Sequence, residues 1–233
     1  FPSCVWSGAQ LRDFIGRHLG PHFRKHRVPA EIWLGTLNMD DFAGYPVTVL
    51  DDKRARGFIK GVGLQWAGKH MVQLVRESWP ELPILQTENE CGDGTNSWTY
   101  ASYVFGLIRR YVGNGAVGYC YWNMVLPEGG ESAWGWKQNS MITVDLRKKT
   151  FTLRPEFYVM KHLSAFVRPG AIRLGLRGPW TAHALAFQNP DGSRVLFVHN
   201  PLPGNKTLAF HDPVCGTGFV LRLEPMSFHL VKY

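Results

Sequence analysis

Four times between residues 31 and 166 a short strand-forming run is followed by apolar residues at helical spacing. That alternation constrains the fold more than any other feature of the chain. Strands alternating with helices pack as a parallel sheet covered by helices, because each crossover returns the chain to the same end of the sheet. The strand runs are residues 31–37, 61–66, 83–87 and 116–122. Ser7 and Gln10 have capping-box spacing ahead of Leu11, Phe14, Ile15 and Leu19. Residues 51–59 are expected to be helical, with Asp51 as the cap and Ala55, Phe58 and Ile59 on one face. Further helices are expected through Met71, Leu74, Val75 and Trp79, and from Ser97 through Tyr100, Val104, Leu107, Ile108 and Tyr111. Pro155, a favoured first helical residue, opens the last one, through Phe157, Tyr158 and Phe166. The fourth strand leads into what reads as a long loop. Four units fall short of a closed (β/α)8 barrel, which needs eight.

After Pro169-Gly170 the texture changes to short alternating runs at 172–176, 183–187, 195–198, 207–210, 219–223 and 226–231. Asn189-Pro190-Asp191-Gly192 is a hairpin signal, since glycine accepts positive φ. The expected fold class is therefore α/β plus all-β: a partial barrel over residues 1–166 and a small antiparallel β-sandwich over 167–233.

Composition removes several alternatives. With 45% apolar and 19% charged residues the chain can bury a core, which excludes disorder. No stretch approaches the 18 apolar residues of a membrane-spanning helix. Phe1-Pro2-Ser3-Cys4 does not open a signal peptide, and the absence of an initial Met leads us to expect a processed or truncated product. The net +8 is scattered over Arg24-Lys25-His26-Arg27, Lys53-Arg54 and Arg147-Lys148-Lys149 rather than interleaved with aromatics. It reads as solvated surface, so no nucleic-acid partner is expected. The charge is compatible with peripheral attraction to an anionic membrane surface or a polyanionic glycan. Cys4, Cys91, Cys120 and Cys215 have no C-x-x-C spacing and are expected as buried free thiols, with a disulfide left open. No H-E-x-x-H pattern and no phosphate loop occurs, so neither cofactor nor metal is expected.

Active sites of βα barrels lie at the C-terminal ends of the strands. There the third strand gives Gln86-Thr87-Glu88-Asn89-Glu90-Cys91-Gly92, the second ends in Trp66 and the fourth in Trp122-Asn123. The following loop carries Glu128, Glu131, Trp134 and Trp136. Carboxylates ringed by indoles suit carbohydrate: a sugar's C–H face packs on the ring and its hydroxyls pair with amides and carboxylates. The same tryptophans fit ordinary core packing, and by spacing alone the signal is weak.

The segment Leu85-Gln86-Thr87-Glu88-Asn89-Glu90-Cys91-Gly92 resembles the nucleophile strand of glycoside hydrolase family 30, the glucosylceramidase-like family. Leu11-Arg12-Asp13-Phe14-Ile15 with Leu19-Gly20-Pro21 resembles that family's helix after barrel strand four. Tyr121-Trp122-Asn123 with Pro127-Glu128-Gly129-Gly130 resembles its strand eight and the loop beyond, and Asn189-Pro190-Asp191-Gly192-Ser193 a hairpin of its β-sandwich. The resemblance implies a retaining β-glycosidase, with the four strands as strands five to eight of a TIM barrel. Glu88 takes the nucleophile position and would form a covalent glycosyl-enzyme. Glu90, two residues on, is its local rival and is ranked below it. Trp122 matches a family aromatic lining the glucose subsite and Trp66 a pocket tryptophan on strand six, Asn123 is expected to hydrogen-bond nearby, and Trp134 and Trp136 read equally as aglycone contacts or a packed loop. Ala67 replaces a tyrosine of the glucocerebrosidase branch, which puts one pocket hydrogen bond to the nucleophile in doubt.

The family's acid/base lies in an Asn-Glu-Pro motif just ahead of the stretch resembling Phe1-Pro2-Ser3-Cys4, and no Asn-Glu-Pro occurs here. The chain is expected to be a fragment of a longer enzyme, nearly inactive alone, because general acid help is worth about 10²–10⁴ in rate. The substrates implied are β-glucosides such as glucosylceramide, or in a second reading β-1,6-glucans or related β-glycans. A non-catalytic carbohydrate-binding fragment and a lipid-surface adaptor are the competing classes. A secreted or lysosome-like location follows only from the resemblance.

Overall fold

The computed structural model describes residues 4–233. Phe1, Pro2 and Ser3, which the resemblance sets just after the family's strand four, lie outside the described residues. The capping box forms: the Gln10 N–H donates to Ser7 Oγ at 3.2 Å and the Ser7 N–H to Gln10 Oε1 at 2.8 Å. It opens α1 (Gly8–Asp13), which runs through a π-helical turn (Phe14–Leu19) into α2 (Gly20–His26). Arg27, at φ 50°, ends the run.

The four expected parallel strands are β1 (Ile32–Leu37), β2 (Ile59–Gln65), β3 (Ile84–Glu88) and β4 (Ala116–Tyr119), hydrogen-bonded in the order β1-β2-β3-β4. Among the described residues β1 and β4 each have one strand neighbour. Between the strands lie α3 (Thr48–Leu50), α4 (Lys53–Arg56), α5 (Val72–Ser78) and α6 (Trp98–Gly113). The helix expected over 51–59 is shorter than the spacing suggested. Asp52, not Asp51, caps it by accepting from the Ala55 N–H at 2.8 Å. Ile59 pairs with Ile32 in the sheet, as a β-branched residue favours. The fourth strand stops at Tyr119, three residues before its expected end, and the Cys120 N–H that follows is shared between the Gln86 carbonyl at 3.2 Å and Gln86 Oε1 at 2.6 Å.

One face of this sheet buries Leu34, Ile59, Val62, Leu64 and Ile84 with Val49, Ala55, Met71, Val72 and Val75 from the helical segments. The other face is narrowed by glycine. A Cβ on Gly61 would lie 2.5 Å from the Trp33 ring. Over Gly63, Thr36 of β1 hydrogen-bonds Thr87 of β3 across the intervening strand.

The region read as a loop after β4 holds a three-stranded sheet: β5 (Val125–Pro127), β6 (Ile142–Asp145) and β7 (Thr150–Leu153). Its β6–β7 hairpin turns at Lys149, φ 55°. The helix α7 (Pro155–Phe166) starts at the expected proline. The C-terminal antiparallel sheet has the order β13-β10-β9-β8, from β8 (Ile172–Leu174), β9 (Ala184–Gln188), β10 (Arg194–Asn200) and β13 (Ser227–Lys232). The hairpin of β11 (Lys206–Asp212) and β12 (Thr217–Leu223) packs on it through Ala184, Ala186, Leu196, Val198, Leu208 and Leu223.

The residues fall into two compact units: one up to Glu90 with Arg110–Cys120, the other Cys91–Arg109 with Tyr121–Tyr233. All four cysteines are free thiols, but only Cys91 is buried. The other three sit in exposed positions, so burial is not a common property of these thiols.

Candidate active site

In the first unit the C-terminal ends of β2 and β3 bring Trp66 and Glu88 together. Trp66 follows β2 directly and opens a 3-10 turn, Trp66–His70, at φ 43°. Its indole Nε1–H donates to Glu88 Oε1 at 2.7 Å, while Glu88 Oε2 accepts no hydrogen bond among the described residues. Three residues on, Lys69 Nζ lies 2.7 Å from Glu90 Oε1, and both side chains are largely buried. Asn89, fully buried, anchors the chain between the two carboxylates. Its N–H donates to the Cys120 carbonyl at 3.1 Å, its Nδ2 to the Glu90 carbonyl at 2.7 Å, and its Oδ1 accepts from Tyr119. The strand end is thus tied to β4 from inside, leaving Glu88 held by a single neutral donor.

The second unit holds Trp122, Asn123 and Trp136. Trp122 is 45% and Trp136 43% exposed, large values for indoles and open to a flat ligand. The Trp136 ring lies 6.1 Å from that of Trp134 at 35°. Glu131 and Lys137 bridge the base of this loop. Asn123 Nδ2 donates to Gln138 Oε1 at 3.1 Å and to the Asn139 carbonyl at 3.4 Å, so it braces the loop.

Behind this loop lies a buried polar pair that periodicity did not reveal. The Asn139 N–H donates to the Cys91 carbonyl at 2.8 Å, Asn139 Oδ1 accepts from the Asn96 N–H at 3.1 Å, and Nδ2 donates to Glu156 Oε1 at 2.9 Å. One side chain therefore ties together residues 91, 96 and 156. Burial pushes the Glu156 carboxyl up to about 7, against the pull of its hydrogen bonds. Burial also raises the Tyr121 phenol, with the nearby Glu156 charge adding to it. Among the described residues no cluster of three His, Cys, Asp or Glu could hold a metal, and no helix is long and apolar enough to cross a membrane.

Two of these residues carried a readable signal. Lys69 stands three residues after Trp66, the spacing that eclipses side chains on a 3-10 turn. Glu156 follows Pro155 in a first helical turn, where an acidic side chain meets the helix N-terminus. Asn139 and Tyr119 carried none.

Comparison with known proteins gives a consistent picture. Residues 1–167 match the glycosyl hydrolase family 30 TIM-barrel domain. The lysosomal acid glucosylceramidase of Mus musculus is 27% identical, over 92% of this chain and 44% of that protein. The endo-1,6-beta-D-glucanase of Neurospora crassa is also 27% identical, over 81% of this chain and 42% of that one. Among solved structures, SrfJ from Salmonella typhimurium superimposes with a TM-score of 0.84 at 22% identity, covering 99% of this chain and 54% of that one. The chain spans less than half the length of these two curated relatives.

Proposed function

The chain belongs to glycosyl hydrolase family 30, and from that premise we propose that it carries the nucleophile side of a retaining β-glycosidase. Glu88 attacks the anomeric carbon, the leaving oxygen departs with the bonding electrons, and water later releases the sugar from the Glu88 ester. The observation that carries this reading is the Trp66 hydrogen bond to Glu88 at the end of β3. An indole N–H orients the carboxylate without neutralising it, and Oε2 stays open for attack. Trp122 and Trp136 supply flat surfaces for sugar rings, and Asn123 braces the loop that bears them. The acid/base carboxylate is assigned to the part of the family barrel these residues do not include.

Glucosylceramide-like β-glucosides are the first substrate class, by analogy with the mouse relative, which also suggests a secreted or lysosome-like location. A specific observation favours a second class, β-1,6-glucans. The Neurospora glucanase is as similar as the mouse enzyme, and Ala67 stands where the glucocerebrosidase branch has a tyrosine. Placing Glu88→Gln in the natural gene product tests the core of the proposal. Hydrolysis of aryl β-glucosides should fall about 10⁴-fold, and near-normal turnover would reject Glu88 as the nucleophile.

A further inference from the structure

Two carboxylates stand two residues apart at the end of β3, and a retaining mechanism uses one of them as nucleophile. β3 ends at Glu88 and Glu90 lies two residues beyond it, so strand alternation does not choose between the two carboxylates. The neighbouring turn does. Trp66 and Lys69 both belong to the Trp66–His70 turn, Trp66 at its left-handed first position. The indole reaches Glu88 at 2.7 Å and the ammonium reaches Glu90 at 2.7 Å. Two donors three residues apart on one turn meet two acceptors two residues apart on one strand end.

The two donors differ in kind. The ammonium compensates the charge of Glu90 and holds that side chain in a charge-assisted bond. The indole N–H orients Glu88 and leaves its charge uncompensated. Asn89 between them faces inward and fixes the spacing. Partly buried ion pairs add little net stability, so the pair's value lies in which carboxylate it selects.

We infer that Lys69 is a positioning residue that withholds Glu90 from the reaction and from the Trp66 indole, so that glycosyl transfer falls on Glu88. The inference rests on the proposed retaining mechanism. Without Lys69, Glu90 becomes a second acceptor for the indole and a second candidate for attack. Without Glu90, the Lys69 ammonium is released toward Glu88 and ties up the nucleophile. Each single change therefore slows reaction at Glu88, and removing both restores it.

The test uses the natural gene product and 2-deoxy-2-fluoro-β-glucosyl fluoride. A carboxylate oxygen forms the bond to C1 while fluoride leaves with the bonding electrons, so no proton donor is needed. The label is located by peptide mapping, and rates are taken on protein shown folded by its melting curve. Unlabelled Glu88 in the wild type would overturn the retaining reading itself. With wild-type label on Glu88, Lys69→Met and Glu90→Gln should each lower the labelling rate about tenfold, the scale of one charge-assisted contact. Lys69→Met should also move part of the label to Glu90, Lys69→Arg should rescue it, and Lys69→Met with Glu90→Gln should recover most of the loss. Folded single variants labelling Glu88 at the wild-type rate, or a double variant no faster than the slower single, would overturn the role of Lys69.

Discussion

Replacing Glu156 by Gln should change protein stability by an amount that grows as pH rises from 4.5 through about 7. Glu156 is fully buried, and its carboxyl is raised from 4.5 to about 7. Burial is the main cause. The backbone amide and Asn139 oppose it, and Asp93 adds to it. The folded state therefore holds the proton more tightly than the unfolded chain does. The stabilisation from that proton is complete below pH 4.5 and is lost as pH rises through about 7. The gap, 7 minus 4.5, at about 1.4 kcal/mol per pH unit, amounts to about 3.5 kcal/mol over the full titration. Gln is neutral throughout and keeps an oxygen for the Asn139 Nδ2–H. Its stability relative to wild type should then rise by about 3 kcal/mol between pH 4.5 and pH 8. Urea unfolding at several pH values in that range measures it, with circular dichroism as the probe. A wild-type-to-variant difference that stays constant with pH would refute the reasoning, because it would mean that Glu156 titrates alike in the folded and unfolded states.

The remaining predictions concern residues in and beside the C-terminal antiparallel sheet. His199 is buried, its ring stacked 4.4 Å from Phe228, with Ser102 Oγ 3.1 Å from its Nε2. Burial lowers it from 6.5 to about 4, with His183 adding to the effect. The unfolded imidazole binds a proton first, so the folded state is fully stable above pH 6.5 and loses about 3 kcal/mol as pH falls through about 4. His199→Gln should flatten that acid limb in melting experiments between pH 7 and 4; an unchanged limb would assign it to other groups. Asn189 accepts from the Arg168 N–H at 2.9 Å and donates to the Phe166 carbonyl at 2.9 Å and to Ser193 Oγ at 3.1 Å. Asn189→Ala strands those groups and should cost about 2–4 kcal/mol in urea unfolding; a loss below about 0.5 kcal/mol, the scale of an ordinary surface change, would show that water replaces them.

Elements whose residues obey one period were legible in the sequence. Ser7 with Gln10, Ser97 and Pro155 marked helix starts because capping is local, needing only residues a few positions apart. The parallel strands were legible because both sheet faces are covered or narrowed, which demands continuous apolar or glycine-rich runs. The helical stretch at Ala43–Leu50 was not read, since Pro46 interrupts the pattern that would announce it. The sheet of β5, β6 and β7 was missed for another reason. Ile142-Thr143-Val144-Asp145 and Thr150-Phe151-Thr152-Leu153 do alternate, but each strand has only four residues, too few to stand out from a loop. Glu88 and Trp66 in the first unit, and Trp122, Asn123 and Trp136 in the second, were singled out in the sequence, whereas Asn139 and Tyr119 act through contacts 48 and 30 residues away along the chain, which no local pattern encodes.

The conformation of Trp66 connects these observations. A bulky residue at φ 43° sits in the left-handed region, at a cost of about 1–3 kcal/mol. Glycine would remove that cost, yet it has no side chain to reach Glu88. The left-handed residue turns the chain sharply out of β2 into the 3-10 turn, which carries Lys69 toward Glu90 while the indole stays on Glu88. The indole hydrogen bond to the Glu88 carboxylate contributes about 1.5–3 kcal/mol, comparable to the backbone cost. The absence of a tyrosine at position 67 therefore does not leave Glu88 without a donor. The donor comes one residue earlier, from the tryptophan itself, and the backbone twist that places it there also brings the neighbouring carboxylate its cation.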